Sequence, residues 1–343
     1  MADDLTLVLI IILIVLAIGL AFSIGANDET LSTLVGGGVI KFKIALIIGG
    51  LALGGGMIAF STGFVAKTVG SDILGEGITY TPFMLLTVLI SSIIWLIIGS
   101  FAGIPLSSTH SLLGSVVGVL IVYAISQGGV NPETALNWDK LGNIVLSWFL
   151  SPLFGLIITY LLFKIIAKTY LSKLRGLNQI EKSERYFKWF LLGSVIFAEI
   201  WVGANSGEAL GILYGLLKNG SLNLGQYFLF AIICGIFAFL GIFIAGRYVI
   251  RNLASQMTDA RPSEGLITQS SSSIILMIAT LFGLPISHSH VIVFCIIGMN
   301  KAQKKEVDLK NLGKMAIYWV LTFPIAGIMA GFIYFGLNLI GLV

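Results

Sequence analysis

The sequence predicts an all-α polytopic membrane protein made of two related halves, and three observations carry that prediction. Of 343 residues, 57% are hydrophobic and only 10% charged, with a mean hydropathy of +1.00, whereas a soluble domain carries about 25% charged residues. Forty-one glycines stand against seven prolines without a three-residue period, which excludes collagen and suits membrane helices whose backbones approach through small residues. Two short motifs each occur twice, in the same order and at nearly one spacing. The net charge of +4 does not point to nucleic acid, because the basic residues lie in short loops between apolar stretches, where membrane orientation explains them. Cys234 and Cys295 sit inside apolar runs without C-x-x-C spacing and read as buried apolar residues.

Residues 5–24 form an apolar run long enough to span a bilayer. The preceding Met-Ala-Asp-Asp has no basic n-region, so the run is expected to stay as a first helix and not to be removed as a signal peptide. Further apolar stretches fall near 44–66, 83–102, 141–167, 185–202, 224–246, 266–281 and 313–342, separated in places by Gly- and Ser-interrupted pieces at 25–40, 104–124, 203–217 and 284–299. Those pieces are expected to be broken helices or re-entrant hairpins. Seventeen of the 20 Lys and Arg fall in four groups, at 41–43, 164–188, 247–261 and 301–314. If 104–124 crosses after a dip and 284–299 returns the chain to the side of the 301–310 loop, all four groups share one face, which the positive-inside rule makes cytoplasmic. The expected location is the cell membrane, with Asp3, Asp4 and the N-terminus outside.

Gly25-Ala26-Asn27 recurs as Gly203-Ala204-Asn205, and Pro105-Leu106-Ser107-Ser108-Thr109-His110 recurs as Pro285-Ile286-Ser287-His288-Ser289-His290, at offsets of 178 and 180. An odd number of crossings in the first half would place the second copy upside down, the inverted-repeat plan of secondary transporters. The expected organisation is a first membrane repeat at 1–167, a cytoplasmic basic linker at 168–184 and a second, inverted repeat at 185–343.

In Gly25-Ala26-Asn27-Asp28-Glu29-Thr30, two carboxylates follow a 20-residue apolar run, where a charge costs roughly 2.5–3.5 kcal/mol on the translocon scale. Such groups need a cation, a proton or a cavity, and a helix broken at the glycine and Asn27 frees carbonyls for a hard cation such as Na+. The simpler reading makes Asp28 and Glu29 caps of a short helix starting near Thr30. In the second copy Ser206 replaces the aspartate and Glu208 lies two positions on, either a displaced cation ligand or a protonatable group. Glu199, one turn earlier, reads equally well as a protonated acid bonded between helices.

The Pro-x-Ser-x-x-His pieces suit a tetrahedral oxyanion. Proline sets a helix start, whose unpaired N–H groups stand beside the hydroxyls of Ser107, Ser108 and Thr109 in one copy and of Ser287 and Ser289 in the other. Neither motif has Lys or Arg, so helix N-termini and co-bound cations must offset the anion's charge, which predicts cation coupling. The competing reading is Ser and Thr as glue between helices. All three histidines, His110, His288 and His290, lie in these motifs. Two of them make no closed metal site. Packing or gating fits His110 and His290, and His288 is placed to line the cavity. The polar runs Ser91-Ser92 and Gln269-Ser270-Ser271-Ser272-Ser273 also align near 180 and are expected along the same pathway.

These four motif copies resemble the inorganic phosphate transporter family, marked by a duplicated Gly-Ala-Asn-Asp segment and a duplicated Pro-x-Ser-Thr-Thr-His segment. Gly25–Asp28 match the first mark in full, and Gly203–Asn205 match all but its aspartate. Pro105–His110 match the second with Ser108 for Thr, and Pro285–His290 place His288 and Ser289 where threonines stand. The resemblance implies a symporter of inverted repeats with about twelve transmembrane or hairpin elements, often dimeric. It implies anion ligands at Ser107, Ser108, Thr109, Ser287, Ser289 and the substituted position His288. It also implies Na+ at Asn27, Asp28 and Asn205, with Ser206 and Glu208 nearby. Losing the second aspartate leaves the number and identity of coupling cations open, Na+ or H+. His288 leaves the anion open, since some members of the family are linked to sulfate.

The function expected is secondary active symport of inorganic phosphate by alternating access, with a sulfate permease of the same fold as the alternative. A channel is the rival in another class, because Ser and Thr can line a pore, but paired broken helices favour alternating access. An intramembrane hydrolase would need an acid to orient His110, and the only candidates belong to the other motif. The protein is therefore expected not to be an enzyme.

Overall fold

The computed structural model describes residues 2–101, 106–126, 131–256, 261–307 and 309–342; Pro105 of the first hairpin motif lies outside them. Among the described residues the chain is helical, with one isolated β-bridge between Leu74 and Leu136. In order come α1 (Ala2–Ala26), α2 (Ser32–Gly36), α3 (Phe42–Ala59), α4 (Phe64–Lys67) running into a π turn at Thr68–Asp72, α5 (Pro82–Phe101) and α6 (Ser108–Ser126). Then follow α7 (Pro132–Ala135), α8 (Trp138–Thr169), α9 (Leu177–Asn205), α10 (Gly207–Lys218) and α11 (Leu224–Gly241). A π turn at Ile242–Gly246 leads into α12 (Arg247–Gln256), and α13 (Pro262–Leu281), α14 (His288–Ala302) and α15 (Leu309–Leu339) complete the chain. Seven stretches among the described residues are long and apolar enough to cross a bilayer. Their outer faces carry bare Val15, Phe149 and Phe332, the side chains a hydrocarbon solvent accepts and water does not.

The helix ends follow from local chemistry. Asn223 and Gln226 form a reciprocal capping box on α11, and Asn131 and Asn137 cap α7 and α8, each satisfying N–H groups that a helix start leaves unpaired. Pro262 opens α13, and Glu184 from α9 accepts from both the backbone N–H and the hydroxyl of Ser263, at 2.9 and 2.7 Å. The basic stretch 168–184 comprises the end of α8, a turn and the first residues of α9.

Two sets of elements succeed one another in the same order. Helices α1 and α9 end on the two Gly-Ala-Asn copies, α6 and α14 begin in the two hairpin motifs, and α8 and α15 each carry one internal proline, Pro152 and Pro324. The packing crosses between the sets: α1 lies on α11 and α9 on α3, while α6 lies on α15 and α14 on α8. Glycine makes these crossings close. A Cβ on Gly25 would overlap the carbonyl of Ala238, and one on Gly241 that of Phe22; a Cβ on Gly203 would overlap the carbonyl of Leu53, and one on Gly56 that of Ile200. The two interfaces use equivalent atoms, since Phe22 and Ile200 stand 178 residues apart, as do Gly25 and Gly203. Without a hydrophobic force between helices in lipid, such backbone contact supplies the association energy.

Candidate functional site

The site is built where the two helix breaks meet the two hairpins. Helix α1 ends at Ala26, and the chain stays out of helix until Ser32. In that gap Asp28 is buried, its Oδ1 accepting from the Thr30 N–H at 2.7 Å, the local cap that the simpler reading expected. Its Oδ2 is cut off from solvent and meets no N–H or hydroxyl donor, so the cap uses half of the carboxylate and the rest is left to the carboxyl of Glu199. Asn27 is exposed and turns its amide back to the Ser23 carbonyl at 3.0 Å. Gln269 of α13 reaches the same gap, donating to the carbonyl of Thr30 and the hydroxyl of Thr33, both at 3.2 Å.

The second break is one residue long, at Ser206. The Ser206 hydroxyl donates to Val202 O at 2.7 Å. Asn205 is buried and fully engaged, its amide donating to Thr280 Oγ1 at 2.8 Å and Leu284 O at 3.2 Å while its Oδ1 accepts from the Ile286 N–H at 3.1 Å. It therefore fixes the turn that leads into α14, and it shares no partner with Asn27.

The hairpins cross over. At the head of α6, Ser108 and Thr109 donate to Oε1 of Glu208, on α10, at 2.8 and 2.7 Å. At the head of α14, Ser289 donates to Oε1 of Glu29, in the first break, at 2.7 Å, and His288 Nδ1 lies 3.8 Å from the same oxygen. Each hairpin thus grips a carboxylate from the other half. The Ser107 hydroxyl oxygen accepts from the His110 N–H at 3.3 Å, leaving its own hydrogen to give. Ser287 is half-buried at the start of α14 and makes no side-chain cap bond.

Glu199 is fully buried on α9, its carboxyl paired with that of Asp28 and with Glu29 the next charged neighbour. Asp28 is likewise the charged neighbour of His288. Three carboxylates therefore lie around the first break, Glu29 partly open to solvent and Asp28 and Glu199 buried, and the buried pair requires a proton or a cation. Of the other residues that sequence reading grouped as cation-binding, Glu208 is engaged by Ser108 and Thr109 and Ser206 by Val202 O.

His110 and His290 meet edge to face at 4.8 Å between Trp148 and Trp319, each 3.9 Å from its own imidazole. Trp148 donates to Pro285 O at 2.8 Å, and His110 Nδ1 lies 3.3 Å from Trp319 O. This stack of four rings ties the hairpins together and sends His290 away from His288. Among the described residues no group of three His, Cys, Asp or Glu is placed to share a metal ion. Ser91 and Ser92, expected along the pathway, are buried in helix contacts instead, Ser91 on Ala326 O and Ser92 on Ser115. Sequence reading missed Trp148, Trp319 and the reach of Gln269. The signal for the tryptophans was a single aromatic in an apolar helix, and for Gln269 its polar run, which does not say what the side chain reaches.

The model of the phosphate transporter family matches residues 24–330, which takes in both breaks and both hairpins. The chain belongs to that family. A Pyrococcus horikoshii protein named as a phosphate permease is 26% identical, over 97% of this chain and 98% of its own. A Bacillus subtilis protein named as a low-affinity inorganic phosphate transporter is 27% identical over 98% and 99%. A solved structure titled "The sodium-dependent phosphate transporter" superposes with a TM-score of 0.81 over 97% of this chain and all of its own, at 24% identity, which shows the fold. This family member is a multi-pass membrane protein and a transporter rather than an enzyme, so the hydrolase reading falls.

Proposed function

We propose that the protein is a symporter that couples inorganic phosphate to Na+ and works by alternating access of two inverted repeats. The observation that carries this reading is the reciprocal crossing: the hydroxyls of each hairpin meet a carboxylate borne by the other half's broken helix. An anion held at the hairpins and a cation held at the breaks would then share side chains, and each ion would change the site the other sees. The cation site lies at Asp28 and Glu199 with the carbonyls of Asn27 and Asp28 beside them, and the second break supplies Asn205 and Ser206 without a carboxylate. The anion site lies between the heads of α6 and α14, with Ser107 and Ser287 giving free hydroxyls and Ser108, Thr109, His288 and Ser289 around them. The proteins named as phosphate transporters support phosphate as the anion; a sulfate permease of the same fold is the alternative. In this reading the basic stretch 168–184 is cytoplasmic, the N-terminus is outside and the protein assembles as a homodimer.

One observation favours a second coupling ion. Glu199 and Asp28 are two buried carboxyls paired with each other, as groups that share a proton through the cycle would be. Uptake of labelled phosphate into liposomes under imposed gradients separates the cases. Accumulation driven by a Na+ gradient and lost when it collapses is expected; accumulation that follows the H+ gradient alone would assign the coupling to protons. Downhill flux without accumulation would leave a channel.

A further inference from the structure

We infer that Glu208 selects the anion by accepting a hydrogen bond from the anion's own proton, so that hydrogen phosphate is bound and sulfate refused. The inference rests on the proposed phosphate reading and assigns its specificity to one side chain. Glu208 is 5% exposed on the first turn of α10. Both hydroxyls that reach it, from Ser108 and Thr109, donate to the same oxygen, Oε1. Its other oxygen, Oε2, is buried and has no partner. A bond meant only to glue α6 to α10 would leave no such atom, because an unsatisfied buried acceptor is costly.

A ligand hydroxyl would supply the donor that Oε2 lacks. A hydroxyl has one hydrogen, so Ser108 and Thr109, having given theirs to Glu208, serve as positioning residues that aim it. The anion's other oxygens are left to the Ser107 hydroxyl and to the backbone N–H groups that the start of α6 leaves without intrahelical partners. An ionised carboxylate only accepts. Monohydrogen phosphate carries a P–OH that can donate to it. Sulfate, of similar size and at that protonation state of equal charge, has no hydrogen and would set an acceptor against an acceptor. Glu29 is the equivalent group on the other hairpin, but it has one hydroxyl, a histidine instead of the second, and a side chain 24% exposed. Water can serve it, so the discrimination falls on Glu208.

The test uses the full-length protein in lipid nanodiscs with saturating Na+, at an alkaline pH where phosphate is a dianion like sulfate. Four anions are compared in two size-matched pairs: phosphate with sulfate, and arsenate with selenate. The wild type should bind the protonated member of each pair more tightly by roughly 10- to 100-fold, the span of one lost hydrogen bond to a charged group. Glu208→Gln, which offers an NH2 donor at nearly constant shape, should bring both ratios towards one. Thr109→Val should lower them part of the way and serves if the glutamine variant does not fold. Ser107→Ala should weaken all four anions and leave the ratios alone. Equal wild-type affinity within each pair would overturn the inference, as would a Glu208→Gln protein with wild-type ratios. If folded wild type binds none of the four, the phosphate reading itself fails and the inference with it.

Discussion

The two helix breaks began as copies of one motif and now differ in length, charge and partners. Between α1 and α2 five residues stay out of helix, and they carry Asp28 and Glu29. Between α9 and α10 only Ser206 interrupts the helix, and Asn205 is locked on three partners. Where the aspartate is kept, the chain remains out of helix, with the carbonyls of Glu29, Thr30 and Leu31 engaged and those of Asn27 and Asp28 taking no part in these bonds. Where serine replaces it, the next helix resumes at once and runs for 12 residues, with its carboxylate moved to Glu208 and onto the first hairpin. Under the proposed function, in which the open break holds the cation, the closed second break implies fewer coupling cations than two open breaks would hold.

The largest effect expected from breaking this asymmetry is at Asp28. Asp28→Asn should abolish gradient-driven accumulation while the protein stays folded, because one oxygen of this carboxylate caps locally, a role asparagine keeps, and the carboxyl otherwise meets only that of Glu199, which an amide can still bond. The converse change, Ser206→Asp, should raise the number of Na+ ions carried per phosphate, measured from reversal potentials in liposomes. Unchanged accumulation in the first variant would remove the first break from the coupling mechanism. Next in size is the shared framework. Gly25→Ala and Gly203→Ala each drive a methyl into a backbone carbonyl of the facing helix, and overpacking of this kind costs about 1–3 kcal/mol. Both should lower the unfolding temperature by similar amounts; a loss at one site only would mean that the two crossings are not equivalent.

Much of this architecture is legible in the sequence. Membrane class follows from hydropathy, and the halves follow from the duplicated motifs, because a repeat leaves its mark in residue order. The partners across the halves are not legible. Nothing in the spacing of Ser108, Thr109 and Glu208 says that they meet, since the contact depends on how α6 packs beside α10. Aligning the copies on Gly-Ala-Asn places Glu208 near the second break and says nothing of the two hydroxyls it receives from the first hairpin. Asn27 and Asn205 look alike in sequence. One is exposed with a single bond to its own helix, and the other is buried with three bonds to the turn after α13. The His110–His290 pairing between Trp148 and Trp319 rests on four residues from four helices, a long-range contact that no local pattern encodes.

The asparagines give a smaller and sharper test. Asn205→Ala removes three bonds and strands the buried Ile286 N–H, which costs about 1–3 kcal/mol on its own. Asn27→Ala removes one exposed bond and should cost a few tenths of that. Thermal unfolding in detergent reads both, and equal losses would contradict the division into an open break and a pinned one.

The smallest effect is expected at His288, and it bears on why the two hairpins differ. The first hairpin offers its carboxylate two hydroxyls, the second a hydroxyl and an imidazole whose Nδ1 stands 3.8 Å from Glu29, with Nε2 buried and unpartnered. His288→Thr restores a hydroxyl there and makes the second grip chemically like the first. By itself it should change phosphate affinity by less than about tenfold, since the imidazole, 3.8 Å from Glu29, makes no hydrogen bond to it that the threonine would have to replace. Its informative use is as a background. Glu29→Gln should hardly alter the ratio of phosphate to sulfate binding in the wild type, because Glu29 is partly open to solvent and held by one hydroxyl. In the His288→Thr background the same change should lower that ratio if a second hydroxyl is what aims a carboxylate at the anion, and the non-additivity of the two substitutions measures the coupling. An additive result would mean that exposure, rather than the identity of the partner at 288, keeps Glu29 from doing what Glu208 does, and the comparison would then turn on how deeply each break is buried.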